Sequence, residues 1–100
     1  MSVVELKSSD HHKQFVNTPS AVVFFGSKRC GYCKQMKPVV QDMSKKHSRT
    51  KFGHVETTEM NVDNLEAVPI FIGYKNGEPV AKVRGADVKQ LQEMVNQISN

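Results

Sequence analysis

The sequence predicts an α/β fold in which a mixed central β-sheet carries helices on both faces. A continuous apolar run at residues 21–25 is typical of a central strand that is buried on both sides. Apolar residues then recur at helical spacing from Met36 to Met43. Further along the chain, Asn76-Gly77 separates two more apolar runs, which is the strongest short-range signal of an antiparallel hairpin.

The first half of the chain predicts two strands, each followed by a helix. Residues 3–6 form a short strand, and Ser8, Ser9 or Asp10 caps a helix that ends before Pro19. The strand at 21–25 is followed by a helix with an apolar face from residue 36 to 43, and Pro38 is expected to kink that helix.

The second half predicts three strands and a final helix. One strand lies between residues 52 and 62, and residues 61–67 form a turn or a single helical turn. The hairpin strands at 70–74 and 80–84 follow. Asp87 and Gln90 resemble a capping box. The apolar face of the last helix consists of Val88, Leu91, Met94, Val95 and Ile98. The predicted order is therefore β-α-β-α-β-β-β-α.

Length and composition limit the class of protein. One hundred residues suffice for one core and are too few for two, so we expect residues 1–100 to form a single domain. No apolar run approaches the roughly 20 residues of a membrane helix, and the first residues lack the pattern of a signal peptide. We therefore expect a cytoplasmic protein without a membrane partner.

The basic residues are unevenly distributed. The formal net charge is +4, yet no carboxylate occurs between Asp10 and Asp42. That stretch contains Lys13, Lys28, Arg29, Lys34 and Lys37. Positive charge is thus concentrated around the two cysteines. The basic run at residues 45–51 lacks interleaved aromatic residues, so we interpret it as solvated surface and expect no nucleic-acid partner.

The only two cysteines, Cys30 and Cys33, are separated by Gly31 and Tyr32. Cys30 lies where a strand is followed by a helix, so the helix N-terminus should favour its thiolate and lower its pKa. The cations Lys28, Arg29 and Lys34 should act in the same direction. Cys33 lies about one turn further into the helix and should be more buried, with a higher pKa. Cys30 is therefore the expected attacking thiol and Cys33 the resolving thiol.

Two other interpretations of the cysteine pair remain open. One is a zinc half-site completed by two of the four histidines, His11, His12, His47 and His54. No histidine pair has the ligand spacing that such a site needs, so we expect no metal. The other is a pair of inert core cysteines, against which the glycine between them and the flanking cations argue.

Residues 30–38, Cys-Gly-Tyr-Cys-Lys-Gln-Met-Lys-Pro, resemble the active-site helix of the thioredoxin family. Val68-Pro69 resembles the family's cis-proline loop, and residues 75–78 followed by Gly85-Ala86 resemble its C-terminal half. The resemblance covers about the whole chain. It implies a thioredoxin-like fold and a thiol–disulfide oxidoreductase that reduces or exchanges disulfides in protein substrates.

The resemblance also implies particular roles. The redox-active group is the Cys30–Cys33 disulfide, without another cofactor, and a reductase or glutathione supplies electrons. Pro69 is the cis residue, and Val68 offers backbone hydrogen bonds to an extended substrate. The substrate-binding residues that it implies are Gly31, Tyr32, Val68, Pro69, Gly85 and Ala86.

Several positions depart from the family pattern. Arg29 and Tyr32 stand where thioredoxins usually carry Trp and Pro, and Phe24 replaces the buried Asp that lies six residues before the first cysteine. Resolution by Cys33 is therefore expected to be slow or to use another base, for which Glu56 and Glu59 are candidates. The segment before Pro69 is short, which indicates a trimmed helix there.

Two alternative functions remain. The first is a glutaredoxin-like enzyme that uses glutathione, which the tyrosine of the motif and the compact length favour. However, the glutaredoxin Cys-Pro-Tyr-Cys motif and its Gly-Gly-x-Asp loop are absent, and residues 84–87 match that loop only in part. The second is a non-enzymatic binding module on a thioredoxin scaffold, which docks a larger enzyme through its basic face.

Overall fold

A computed structural model describes residues 3–60, 62 and 67–99 of the chain. The elements are β1 (Val4–Glu5), α1 (Ser9–Val16), β2 (Ser20–Gly26), α2 (Gly31–Lys46), β3 (Lys51–Glu56), β4 (Ile70–Lys75), β5 (Glu78–Arg84) and α3 (Val88–Ile98). Their order is the one predicted from the sequence. The turn expected at residues 61–67 and the trimmed helix expected before Pro69 lie largely outside the described residues.

The strands form one mixed sheet in the order β1-β3-β2-β4-β5. β1 and β2 both pair with β3 in parallel, whereas β4 pairs antiparallel with β2 and with β5. β2 is the central strand, and all seven of its residues are buried. In the register of the sheet, Phe24 of β2 lies beside His54 of β3 and Phe71 of β4. The predicted mixed sheet with a fully buried central strand is confirmed.

Helices cover both faces of the sheet, as predicted. On one face, Met36 of α2 and Leu91 of α3 belong to a core cluster with Phe24 and Phe71. On the other face, Phe15 of α1 belongs to a second cluster. The apolar face predicted for α3 is correct except at its first residue, because Val88 is 47% exposed. Val88 is the first residue of α3, next to the cap, and its side chain is exposed to solvent.

The local signals in the sequence correspond to observed caps and turns. Ser8 caps α1 and accepts a hydrogen bond from the backbone N–H of His11 at 3.1 Å. Asp87 caps α3 and accepts one from the N–H of Gln90 at 2.9 Å. Asn76 and Gly77 have φ values of 54° and 86°, as a tight hairpin turn requires.

Helix α2 continues through Pro38 for a total of 16 residues. The proline therefore does not end the helix, although it removes one N–H from the ladder. Among the described residues, no helix combines the length and apolarity needed to cross a bilayer.

Candidate active site

The two cysteines lie where β2 is connected to α2. Cys30 is the N-cap of α2, and its Sγ accepts a hydrogen bond from the backbone N–H of Cys33 at 3.1 Å. Its own N–H donates to the carbonyl of Ser27 at 3.0 Å, which closes the turn before the helix. A sulfur at this position faces the unpaired N–H groups and the positive end of the helix dipole. The sulfur of Cys30 therefore lies at the N-terminal end of α2, against the first turn of the helix.

The two sulfurs differ in exposure. Cys30 is half-buried, whereas Cys33 is only 2% exposed. Burial, together with the neighbouring Cys30, raises the pKa of the Cys33 thiol to about 11. The charge of Glu56 acts in the same direction, and a backbone hydrogen bond from Ser27 opposes it. The expectation that Cys33 is the more buried thiol, with the higher pKa, is confirmed.

The loop before β4 faces the attacking sulfur. The Val68–Pro69 peptide bond is cis, as the sequence resemblance implied. The Cys30 thiol points to the carbonyl of Val68, with 3.9 Å between Sγ and the oxygen. The N–H of Gly85 donates to the carbonyl of Pro69 at 2.8 Å. The tertiary structure thus brings four predicted site residues, Cys30, Val68, Pro69 and Gly85, to one place.

The other predicted substrate-binding residues lie one or two positions along the chain from these four residues, and all of them are exposed. Gly31 and Tyr32 are exposed on the first turn of α2, and the Tyr32 side chain is 66% exposed. Ala86 is exposed and follows Gly85 in the chain. Gly85 has a φ of 82°, a conformation that favours glycine.

The three predicted charge-tuning residues, Lys28, Arg29 and Lys34, are all exposed. Lys28 differs from the other two because it contacts carboxylates. Its backbone N–H donates to Glu56 at 3.0 Å, and its Nζ lies 3.9 Å from an oxygen of Glu59. Part of the positive charge of Lys28 is therefore neutralised beside the site.

Phe24 occupies the position where the family carries a buried acid. Phe24 is 1% exposed, and its ring stacks on Phe71 with 4.8 Å between centroids. A Cβ on Gly26 would lie 2.9 Å from the Phe24 ring and 3.3 Å from Sγ of Cys33. The ring and the buried sulfur therefore both lie against the backbone of Gly26. No acidic group can occupy the space that the Phe24 ring fills.

The two acidic residues predicted as substitute bases lie at the end of β3. Glu56 Oε2 accepts hydrogen bonds from the Thr58 hydroxyl at 2.7 Å and from the N–H of Lys28. Although partial burial acts to raise it, these hydrogen bonds hold the pKa of Glu56 below its usual value. Glu59 is exposed beside Lys28. A carboxylate with a lowered pKa is a weak acceptor for a thiol proton.

A contact between His54 and Glu5, which the sequence did not predict, lies next to Phe24. His54 is 5% exposed and its Nδ1 lies 2.6 Å from Glu5 Oε2, whereas the Glu5 side chain is 51% exposed. The ring centroids of His54 and Phe24 are 5.0 Å apart. His54 and Glu5 line a cavity of about 180 Å³ together with Lys37. The sequence indicated His54 only as a candidate zinc ligand. The described residues contain no group of three or more His, Cys, Asp or Glu that could hold a metal ion.

A dithiol at a helix N-terminus, beside a cis-proline loop and within a mixed sheet of this topology, defines a thiol–disulfide oxidoreductase. The thioredoxin family model matches residues 2–99. The chain belongs to the thioredoxin family. Its redox-active group is the Cys30–Cys33 pair, and members of this family act on disulfides of protein substrates and are served by a reductase.

Individual relatives agree with this assignment. The chain is 33% identical to thioredoxin Asp f 28 of Aspergillus fumigatus over 93 residues, which cover 88% of this chain and 86% of the relative. It is 30% identical to putative thioredoxin-5 of Dictyostelium discoideum, with 90% and 91% covered. The structure of Malassezia sympodialis thioredoxin superposes with a TM-score of 0.90 at 30% identity, over 99% of this chain and 92% of the other.

Proposed function

We propose that Cys30 attacks the disulfide of a protein substrate and that Cys33 resolves the mixed disulfide, so that the enzyme works as a reductant. The observation that carries this assignment is the difference in exposure between the two sulfurs. Cys30 is half-buried beside Val68, whereas Cys33 is 2% exposed beneath it. A substrate disulfide can reach only the first sulfur.

The reaction proceeds in two exchanges that balance atoms and electrons. The Cys30 thiolate forms a bond to one substrate sulfur, and the second substrate sulfur leaves with the electron pair and takes a proton. Cys33 then releases its proton to water and attacks Sγ of Cys30. The first substrate sulfur leaves as a thiolate, and the Cys30–Cys33 disulfide remains. Two electrons have moved from the dithiol to the substrate.

The substrate lies across the cis-proline loop in this proposal. The backbone of Val68, next to Pro69, hydrogen-bonds an extended substrate segment, because such a segment can align with the free edge of a loop that lies beside Cys30. Gly31 and Tyr32 contact the segment from the helix side. Gly85 and the neighbouring Ala86 contact it from the opposite side. What supports this arrangement is the hydrogen bond between Gly85 and Pro69.

Three cations favour the thiolate of Cys30 in this proposal. Arg29 and Lys34 flank the cysteine in sequence and are exposed, so that their charge is directed to the substrate side. Lys28 contributes less, because its ammonium lies 3.9 Å from the Glu59 carboxylate.

We further propose that a dithiol reductase, rather than glutathione, returns electrons to the disulfide. In support, the N–H of Gly85, within the segment that partly matches the glutaredoxin glutathione loop, already donates to Pro69 at 2.8 Å. We also propose that residues 1–100 form one domain that works in the cytoplasm. Turnover with glutathione at a rate equal to that with a thioredoxin reductase would contradict the choice of donor.

Two cysteine variants test the assignment of roles. Cys30→Ser should abolish reduction of a disulfide peptide and form no adduct with it, because no accessible thiolate remains. Cys33→Ser should accumulate a stable mixed disulfide at Cys30, which mass spectrometry detects as the mass of the peptide. The double variant is the matched control. An adduct that forms on Cys33 in Cys30→Ser at the wild-type rate would reverse the assignment.

A further inference from the structure

Cations line the surface beside the attacking sulfur. Arg29 directly precedes Cys30, and Lys34 and Lys37 follow it by one and two turns of α2, so both lie on the same helix face as Cys30. All three are exposed. We call Arg29, Lys34 and Lys37 the basic stripe.

The charge of the basic stripe is not neutralised by the described part of the chain. The nearby ion pairs involve other lysines: Lys28 lies 3.9 Å from Glu59, and Lys46 lies 3.3 Å from Asp42. Within the described residues, no ion pair includes a member of the stripe. Lys37 also lines the cavity that contains Glu5, although no ion pair joins these two described residues. The three exposed side chains therefore present positive charge at the protein surface.

The stripe lies within reach of a bound substrate. Helix geometry places Lys34 about 6 Å and Lys37 about 10 Å along α2 from Cys30. An extended peptide that continues along α2 from the reacting cysteine rises about 3.3 Å per residue, so its side chains two or three positions away reach that distance. Tyr32, 66% exposed, lies at the same end of α2 and offers an apolar ring with a polar tip.

We propose that the basic stripe selects disulfide-bearing segments that carry Asp or Glu two or three positions from the reacting cysteine. The inference rests on the role proposed above for Cys30. Opposite charges raise the rate of encounter and disfavour basic segments, which would place like charges together on the substrate face. The stripe thus acts on substrate choice, in addition to any effect on the thiolate.

Three disulfide peptides test this proposal. They share one sequence except at positions two and three from the reacting cysteine, which are Glu, Ser or Lys. We expect kcat/KM of the wild type to be roughly tenfold higher for the Glu peptide than for the Lys peptide at low ionic strength. The ratio should approach one in 1 M salt, where the Debye length is about 3 Å.

Two double variants with equal net charge distinguish the effect of the basic stripe on substrate preference from the effect of the overall charge of the protein. Lys34→Glu with Lys37→Glu should invert the preference, so that the Lys peptide reacts faster than the Glu peptide. Lys45→Glu with Lys51→Glu should keep the wild-type ratio. Lys45 lies about 22 Å from Cys30 along α2. Lys51 pairs with Ala21, at the end of β2 remote from the cysteines.

The outcomes distinguish this proposal from the proposed function. Equal rates for the three peptides, or an equal loss of preference in both double variants, would overturn the selection of acidic segments alone. Failure to reduce the neutral Ser peptide would overturn the roles of the cysteines and the selection with them. Duplex DNA that inhibits the wild type but not the stripe variant would assign the stripe to nucleic acid instead.

Discussion

The two sides of the dithiol form contrasting environments. The outer side, at Cys30, carries the exposed Tyr32 and the basic stripe. The inner side, at Cys33, carries Phe24 and Met36, which are 1% and 2% exposed. Burial on the inner side raises the pKa of Cys33, although only two residues separate its sulfur from the half-buried sulfur of Cys30. One short motif thus supplies an accessible thiol and a buried, neutral reserve thiol, because the helix places its two sulfurs in different surroundings.

The inner side also departs from the family pattern, because it lacks the buried acid that the family carries there. A buried carboxylate is replaced by the ring of Phe24, and the buried His54, which contacts the half-exposed Glu5, packs against that ring. The proton of Cys33 therefore has no adjacent carboxylate in the place where the family provides one.

The largest expected effect concerns stability, and it compares an aromatic residue on each side. Phe24→Ala removes a ring packed against Phe71 and His54, and should lower the free energy of unfolding by about 3–5 kcal/mol. Tyr32→Ala removes an exposed ring and should change it by less than about 0.5 kcal/mol. Urea unfolding of both variants measures the difference. Equal losses would show that the two sides do not differ in packing.

The next prediction concerns the rate at which Cys33 resolves the mixed disulfide. Burial and the neighbouring Cys30 both raise the pKa of Cys33. In the mixed disulfide Cys30 no longer carries a thiol, so its effect on this pKa is lost, whereas Cys33 remains buried. The resolution rate should therefore rise about tenfold per pH unit from pH 6 to 8, as the thiolate fraction does. Rapid-quench analysis of the adduct measures this rate.

The attack by Cys30, measured in Cys33→Ser over the same pH series, is the control for the outer side. A resolution rate that is independent of pH would mean that another group removes the proton of Cys33. Glu56→Gln then identifies that group if it slows resolution in the wild type.

The smallest effect is a loss of stability at alkaline pH. The pKa of Cys33 rises from 9.0 to about 11 on folding, so the unfolded chain releases this proton at lower pH than the folded chain. The contribution of Cys33 to the free energy of unfolding should then be constant below about pH 9 and fall by on the order of 2 kcal/mol as pH rises towards 11. Thermal unfolding of the reduced protein across this range measures the fall.

The oxidised protein is the control for the alkaline effect, because neither cysteine carries a proton in it. Burial also raises the pKa of Tyr74, which contributes a fall of the same sign in both forms and cancels from their difference. A fall of equal size in reduced and oxidised protein would assign the effect to Tyr74 and not to Cys33.

The sequence by itself determined the order of the elements and the reactive pair. These features depend on local signals: the apolar run of β2, the Asn76-Gly77 turn, the cap at Asp87 and the spacing of Cys30 and Cys33. Each of them acts over a few residues, through backbone geometry or side-chain periodicity. The asymmetry of the two thiols followed for the same reason, because helix position alone places one sulfur at the N-terminus and the other a turn deeper.

Only the tertiary structure decided which distant residues surround those sulfurs. The contact of Cys30 with Val68, the bond from Gly85 to Pro69 and the hydrogen bond from Lys28 to Glu56 each join segments that are far apart in sequence. The contact of His54 with Glu5 depends on the parallel pairing of β1 with β3. The register of β1 and β3 fixes this last contact, because a shift of one residue would move each side chain of the strand to the opposite face of the sheet. No local pattern in the sequence specifies contacts between segments that lie so far apart in the chain.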